Sequence, residues 1–213
     1  MTIKQKAEIL SEYFTSVFTN EPQGNIPEPK HIPLDKKIEE LNIGTDLVLK
    51  HLQKIKKRIN HPALIILHPR LLFEVKEGIA EPLGIIFSQS LTQKVVPKDW
   101  KSALVSAIFK KGNKSQAKNY RPVSLTSVVC KIMEKIIREH IINYMKENKL
   151  FSNKQYGFIS ERSTSLQLLE VIDKWTEAID NGYEIDCIYT DFMKAFDTVP
   201  HRDDSLRKSK ILG

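Results

Sequence analysis

The 213-residue sequence is poor in cysteine, and it lacks the patterns that would tie it to structural metals or to a membrane. Cys130 and Cys187 lie 57 positions apart without a CxxC pair, and the six histidines fall outside zinc-ligand spacings. These absences exclude a zinc knuckle and a disulfide framework, and they indicate a reducing compartment. No apolar run approaches the ~20 residues that span a bilayer, and no secretory signal follows Met1. We therefore expect an intracellular protein, cytoplasmic or nuclear.

The remaining composition is that of a folded, basic protein. Hydrophobic residues make up 41% of the chain and charged residues 28%, which is too apolar for wholesale disorder. The net charge of +7 and the pI near 9.2 favour a polyanionic partner, either nucleic acid or an anionic membrane surface. A basic surface without such a partner is the alternative that composition leaves open.

Apolar spacing predicts a mixture of helices and short strands. The predicted helices cover residues 3–18, 45–58, 70–93, 127–148 and 163–180, and the predicted strands cover 102–109 and 185–190. Prolines between residues 22 and 33 indicate an extended linker. Residues 63–67 fit either a short strand or a buried turn.

Asp191 follows the second predicted strand directly and opens the stretch Asp-Phe-Met-Lys-Ala-Phe-Asp at 191–197. A carboxylate at the exit of a strand can project beyond the sheet, where a hard cation such as Mg²⁺ accepts oxygen ligands. An aspartate that caps the following helix would give the same local pattern. Spacing alone does not separate the two interpretations.

A wider set of motifs resembles the LINE-type (non-LTR) retrotransposon reverse transcriptases, over nearly the full length of the chain. Residues 7–19 look like the family's segment between endonuclease and polymerase. Four further motifs keep the family's order and approximate spacing. They are Val-Pro-Lys-Asp-Trp-Lys at 96–101 with Ile-Phe-Lys-Lys-Gly at 108–112, Asn-Tyr-Arg-Pro-Val-Ser-Leu at 119–125, Gln-Tyr-Gly-Phe at 155–158 with Arg162-Ser163, and the stretch at 191–197 followed by Val-Pro-His.

The resemblance implies a catalytic role for the stretch after the second predicted strand. Asp191, with the backbone carbonyl of Phe192, would hold the metal pair that activates the primer 3′-hydroxyl. Phe196 would be the steric gate that excludes a ribose 2′-hydroxyl, although a core aromatic is the alternative.

The resemblance also implies contacts to substrates. Lys110 or Lys111, together with Arg121, would contact the incoming triphosphate, because a guanidinium can grip two oxygens at once. Solvated surface charge is the alternative for each. Gly157, Phe158 and Arg162 would contact the template, with Gly157 allowing a close approach, unless that glycine only serves an ordinary turn.

Local charge supports an anion-binding block between Lys98 and Arg121. This segment holds seven basic residues and one acid, Asp99. Such an excess is expected where a phosphate backbone or a triphosphate docks.

The sequence departs from the family in its acidic motifs. Polymerase chemistry requires a second motif, an aromatic-x-Asp-Asp hairpin, and the 22 residues after Asp191 do not contain it. Asp203-Asp204 lacks strand-like neighbours and fits a helix start better. One carboxylate cannot hold two divalent ions ~3.5–4 Å apart. We therefore expect an incomplete Mg²⁺ site and no polymerase activity from this chain alone.

Together these features predict an α+β fold, a partial right-hand polymerase with a helical N-terminal arm, fingers and an incomplete palm. The expected divisions are a helix and proline-rich linker at 1–34, a helical region at 35–95, and fingers with part of a palm at 96–213. RNA template, DNA primer and deoxynucleotides are the expected partners. The alternative function is a non-enzymatic, nucleic-acid-binding remnant of a decayed element.

Overall fold

The computed structural model describes residues 2–18, 37–55 and 68–192. The proline-rich linker, residues 63–67 and Phe196 lie outside the described residues. The described chain divides into two compact units, one of residues up to Ile141 and one that begins at Ile142. The regular elements are α1 (Ile3–Thr15), α2 (Thr45–Gln53), α3 (Pro69–Glu74), α4 (Lys76–Gln93), β1 (Leu104–Phe109), β2 (Tyr120–Leu125), α5 (Val128–Glu147) and α6 (Thr164–Asp180), with 3₁₀ turns at Lys98–Lys101 and Ala117–Asn119.

Helix α1 begins at a reciprocal cap. The Thr2 side chain accepts a hydrogen bond from the Gln5 backbone N–H at 3.3 Å, and the Gln5 side-chain oxygen accepts one from the Thr2 N–H at 2.8 Å. Two N–H groups that the helix leaves unpaired are thereby satisfied. None of the residues of α1 is buried.

The core of the first unit lies among α2, α3, α4 and α5. Val48, Leu52, Ala80 and Phe87 are fully buried there. Helix α5, which was predicted from its apolar spacing, contributes to the same cluster; its buried apolar residues there are Val128, Val129, Ile132, Met133 and Ile136. Burial of one such stripe against the others, rather than helix propensity, stabilises helices of this length.

The helix expected over residues 70–93 is divided at Val75, between α3 and α4. Val75 has φ −100° and ψ 13°, outside helical geometry, and its N–H still bonds to Leu71 O at 3.0 Å. β-branched Val75 and Gly78 are both weak helix formers, so this is where a continuous helix is least favourable.

Strands β1 and β2 form an antiparallel hairpin. β1 confirms the strand predicted at 102–109, whereas β2 was not predicted as a strand. The register pairs Leu104 with Leu125 and Phe109 with Tyr120. The mixture of helices and a small sheet is the α+β content that was predicted.

Helix α6 has well-defined ends and an exposed apolar face. The Ser163 hydroxyl accepts a hydrogen bond from the Leu166 N–H at 3.2 Å, and Gly182 (φ 77°) follows the last turn. No residue of α6 is buried, and Leu169 and Ile172 are 62% and 54% exposed. The amphipathic pattern thus predicted the helix correctly. Among the described residues, no other element buries the apolar face of α6.

The strand predicted at residues 185–190 is wrong, because residues 183–192 form neither helix nor strand. Ile188 and Tyr189 are 88% and 84% exposed. A strand is stable only when its backbone groups pair with a neighbour. Among the described residues the sheet consists of β1 and β2, so this segment has no strand beside it.

The two cysteines lie in contrasting surroundings. Cys130 is buried in α5, and Cys187 is exposed in the segment after α6. Burial, followed by the nearby Glu134 carboxylate, raises the pKa of the Cys130 thiol to about 11.

Candidate nucleotide and nucleic-acid interface

The β-hairpin places the predicted triphosphate contacts at one end of a short, regular sheet. Arg121 pairs directly with Ile108, so the two side chains share a face of the hairpin. Phe109 and Tyr120 form the next pair and therefore occupy the opposite face, where their rings meet edge to face at 5.5 Å. The side chain of Arg121 therefore leaves the backbone on the face opposite this aromatic pair.

The loop between the strands is held in one conformation by hydrogen bonds. The Lys110 N–H bonds to Asn119 O at 2.8 Å, and the Asn119 side chain donates to Asn113 O at 2.8 Å. Gly112 has φ 88°, and a Cβ there would lie 2.8 Å from Asn119 Nδ2. The loop thus requires glycine at this position, both for backbone conformation and for space. Lys110 and Lys111 precede that glycine on an ordered support.

The structure distributes the basic block over both faces of the hairpin. Lys110, Lys111 and Arg121 are exposed. Lys114, however, places its ammonium 5.6 Å from the centre of the Phe109 ring, on the aromatic face. The seven basic residues between 98 and 121 therefore do not form one flat surface. Arg121 is the one that strand pairing fixes most firmly.

The second group of predicted site residues lies in a turn before α6. Phe158 is 97% exposed and has φ 64°, and a Cβ at Gly157 would meet nothing within 4 Å. Arg162 is used inside the turn, where Nη1 donates to Ser152 O at 2.7 Å and to Gln155 O at 2.5 Å. The structure thus brings all three predicted template contacts into one turn, with Gly157 and Phe158 outermost.

Glu170 is a residue that sequence reasoning missed. Its carboxylate accepts hydrogen bonds from Lys174 and from the Tyr156 hydroxyl, and it lies 3.3 Å from Lys154 Nζ. These donors, Lys174 first, lower the pKa of Glu170 to about 2. The Glu170–Lys174 spacing of four residues on a helix was a visible signal. The contact with Tyr156 joins residues 14 positions apart, and local spacing does not reveal it.

Asp191 lies exposed in the irregular segment after α6, and the neighbouring Phe192 is 84% exposed. Within the described residues, no three histidine, cysteine, aspartate or glutamate side chains come together in a way that could hold a metal ion. A single carboxylate does not fit a two-metal centre. The described residues therefore do not by themselves form the Mg²⁺ site that the resemblance implies.

Comparison with known proteins shows which family the chain resembles. Residues 108–211 match the sequence profile described as "Reverse transcriptase (RNA-dependent DNA polymerase)". This stretch is 104 of the chain's 213 residues, and its similarity supports a reverse transcriptase of the LINE type. The match begins near the end of β1 and includes the hairpin loop, β2, the turn before α6 and Asp191, so all the predicted site residues fall within it.

Three relatives from Drosophila melanogaster support the same assignment. The probable RNA-directed DNA polymerase from transposon BS is 30% identical over 131 residues, which are 61% of this chain and 14% of the relative. The RNA-directed DNA polymerase from mobile element jockey is 27% identical over 208 residues, 94% of this chain and 22% of the relative. The probable RNA-directed DNA polymerase from transposon X-element is 28% identical over 120 residues, 56% of this chain and 13% of the relative.

The chain thus spans less than a quarter of the length of these relatives. The jockey match also covers the helices that precede the profile match, in agreement with a resemblance over nearly the whole chain. Among the helices of the described residues, none is both long enough and apolar enough to cross a membrane.

Proposed function

We propose that the chain provides the fingers and the beginning of the palm of an RNA-directed DNA polymerase from a non-LTR retrotransposon. Its partners in this role are an RNA template, a DNA primer and deoxynucleoside triphosphates. The observation that carries the proposal is the ordered hairpin that presents Arg121 opposite Ile108, with Lys110 and Lys111 at its loop. Residues 96–213 make up the polymerase part, and residues 1–34 and 35–95 precede it as a helix-and-linker arm and a helical region.

In this role Arg121 binds the triphosphate. Its planar guanidinium donates to two phosphate oxygens at once, while Lys110 and Lys111 contribute point charges at the same end of the hairpin. Strand pairing fixes the backbone of Arg121, and the Asn119 contacts fix that of Lys110. Little backbone freedom is therefore lost when the triphosphate binds.

Asp191, with the Phe192 carbonyl, is proposed as one part of a metal site, and Phe196 as the gate against ribonucleotides. We assign no metal-dependent step to the described residues, because they supply too few carboxylates. The 213 residues contain no aromatic-x-Asp-Asp motif, so no carboxylate of such a motif is assigned to the proposed metal site.

A matched pair of arginine substitutions tests the proposal. Arg121→Gln is expected to weaken binding of a fluorescent deoxynucleoside triphosphate by about tenfold, since a hydrogen bond to a charged group contributes about 1.5–3 kcal/mol. The control is Arg138→Gln, which removes the same charge from another exposed arginine, on α5. Fluorescence anisotropy on the full chain measures both. Equal weakening in the two variants would show that only net charge matters and would contradict the proposal.

The alternative, a remnant that binds nucleic acid without enzymatic activity, predicts RNA binding but no selective binding of the triphosphate at Arg121. Incorporation of deoxynucleotides by the purified chain with Mg²⁺, abolished by Asp191→Ala, would exclude this alternative. It would also show that the residues present are sufficient for chemistry.

A further inference from the structure

The turn before α6 is tied to that helix through one carboxylate. Glu170 Oε2 accepts the hydrogen bond from the Tyr156 hydroxyl, while Oε1 lies against Lys174 and, at 3.3 Å, Lys154. Charge-assisted hydrogen bonds of this kind are roughly twice as strong as neutral ones. Two donors from the turn, Lys154 and Tyr156, and one from α6 itself, Lys174, thus converge on a single side chain of α6.

A second set of contacts closes the turn on itself. Arg162 Nη1 binds Ser152 O and Gln155 O at 2.7 and 2.5 Å, and its guanidinium carbon lies 5.9 Å from the centre of the Tyr156 ring. Tyr156 therefore takes part in both sets, through its hydroxyl toward Glu170 and through its ring toward Arg162. Loss of the Tyr156 hydroxyl would uncouple them.

Between these contacts the backbone adopts an unfavourable conformation. Phe158 has φ 64° and Glu161 has φ 68°. A bulky side chain in the left-handed region costs about 1–2 kcal/mol. Phe158 is nevertheless 97% exposed, so burial of its ring does not offset that cost. The contacts of Glu170 and Arg162 thus hold a strained backbone that does not improve packing. Such strain is typical of ligand-binding turns.

We propose that Glu170 is a positioning residue that, through Tyr156 and together with Arg162, holds this turn so that the exposed Phe158 ring stacks on a base of the single-stranded template. The inference rests on the proposed function. Base–aromatic stacking tolerates any sequence, because every base presents a flat π-face. A template must be read without preference for its sequence, and an exposed ring meets that requirement better than a hydrogen-bonding group.

In the proposed arrangement Arg162 contributes inside the turn. Its Nη1 is occupied by two backbone carbonyls, which leaves the ring of Phe158 as the group with the largest free surface. Glu170 does not touch the template, and its effect passes entirely through the turn.

The test uses the full chain and a single-stranded RNA that carries 2-aminopurine, whose fluorescence falls when it stacks on an aromatic ring. Phe158→Ala is expected to remove this quenching and to weaken RNA binding by at least about fivefold. Tyr156→Phe and Glu170→Gln are expected to reduce the quenching although Phe158 is still present. Glu177→Gln removes a carboxylate from the same helix without touching the turn, and it is expected to leave the signal unchanged.

The pH profile separates positioning from a general loss of structure. Because Lys174 and Tyr156 hold the pKa of Glu170 near 2, its carboxylate stays ionised and the contacts persist at pH ~4, where an ordinary glutamate is partly protonated. Quenching in the unmodified chain is therefore expected to survive at that pH. Circular dichroism of each variant at neutral pH and again under the acidic condition shows whether α6 is retained.

The possible outcomes distinguish this inference from the proposed function. If RNA binds but Phe158→Ala leaves the quenching intact, the stacking role is wrong while the reverse transcriptase role stands. Loss of quenching in Phe158→Ala alone, with full quenching in Tyr156→Phe and Glu170→Gln, overturns the positioning role of Glu170. A chain that binds neither RNA nor triphosphate contradicts both proposals.

Discussion

The unit that ends at residue 141 and the unit that follows it are stabilised by different interactions. In the first, helices α2, α3, α4 and α5 enclose a cluster that includes the fully buried Phe87 and Leu52. In residues 142–192 no side chain is buried, and polar contacts around Glu170 and Arg162 hold the turn before α6 instead. Apolar burial does not rely on ionised groups, whereas a charged network on the surface is screened by salt. Substitutions should therefore have very different effects in the two units.

Truncation of an apolar side chain in each unit should show the largest difference. Phe87→Ala is expected to lower the free energy of unfolding by about 3–5 kcal/mol, because Phe87 is fully buried and its ring meets Trp100 at 5.6 Å. Leu169→Ala on α6, where the side chain is 62% exposed, should change it by less than about 1 kcal/mol. Urea denaturation followed by circular dichroism measures both. Comparable losses would mean that Leu169 is covered in solution.

Gly112 and Gly157 differ in the space that a side chain would have, and the expected difference in stability is smaller than for the apolar truncations. Gly112→Ala is expected to destabilise the hairpin by about 1–2 kcal/mol, because φ is 88° and the new Cβ would lie 2.8 Å from Asn119 Nδ2. Gly157→Ala should leave the melting temperature nearly unchanged, since nothing lies within 4 Å of a Cβ there. If Gly157 admits the template, this variant should instead weaken RNA binding. Thermal melts and anisotropy together separate the two effects, and a stability loss at Gly157 would argue for a purely structural glycine.

The smallest expected effect concerns His51 in the core of the first unit. Burial lowers the pKa of His51, opposed by Glu139 and reinforced by Lys54, Lys50 and Lys135. Its Nε2 lies 3.4 Å from the Glu139 carboxylate and has no hydrogen-bond partner among the described residues.

In the unfolded chain His51 binds a proton near pH 6.5, more readily than it does in the folded chain. Its contribution to the free energy of unfolding is therefore fully present above that pH and is lost as the pH falls through it. The melting temperature should therefore decrease between about pH 7.5 and about pH 5.5. His51→Leu should flatten this part of the profile, and Glu139→Gln should steepen it, because the opposing acid is gone. An unchanged slope in His51→Leu would assign the effect to other histidines.

Local patterns predicted the elements whose stability depends on their own spacing. The stripe that includes Ile132 and Ile136 gave the position of α5 to within one residue at each end, because helical periodicity and burial coincide there. Ser163 marked the start of α6 for the same kind of local reason, since a hydroxyl before a helix satisfies a free N–H.

Features that depend on distant residues were not predictable in this way. The segment 185–190 has the composition of a strand but no neighbour to pair with in the described chain, so its composition was misleading. The Tyr156–Glu170 contact arises only when the turn folds back on α6. Family resemblance predicted that Phe158 contacts the template, and this stays a prediction, while its strained backbone conformation became visible only in three dimensions. The roles of Lys110, Lys111 and Asp191 stay predictions.

The unequal surroundings of the two thiols have a practical consequence. At neutral pH a maleimide dye reacts with thiolate, which Cys130 hardly forms because its pKa is about 11 and its sulfur is buried. Cys187, exposed and four residues before Asp191, is then the position that takes the dye. The sequence therefore offers a single reactive thiol beside the proposed metal ligand. A spectroscopic dye can be attached there without an engineered cysteine.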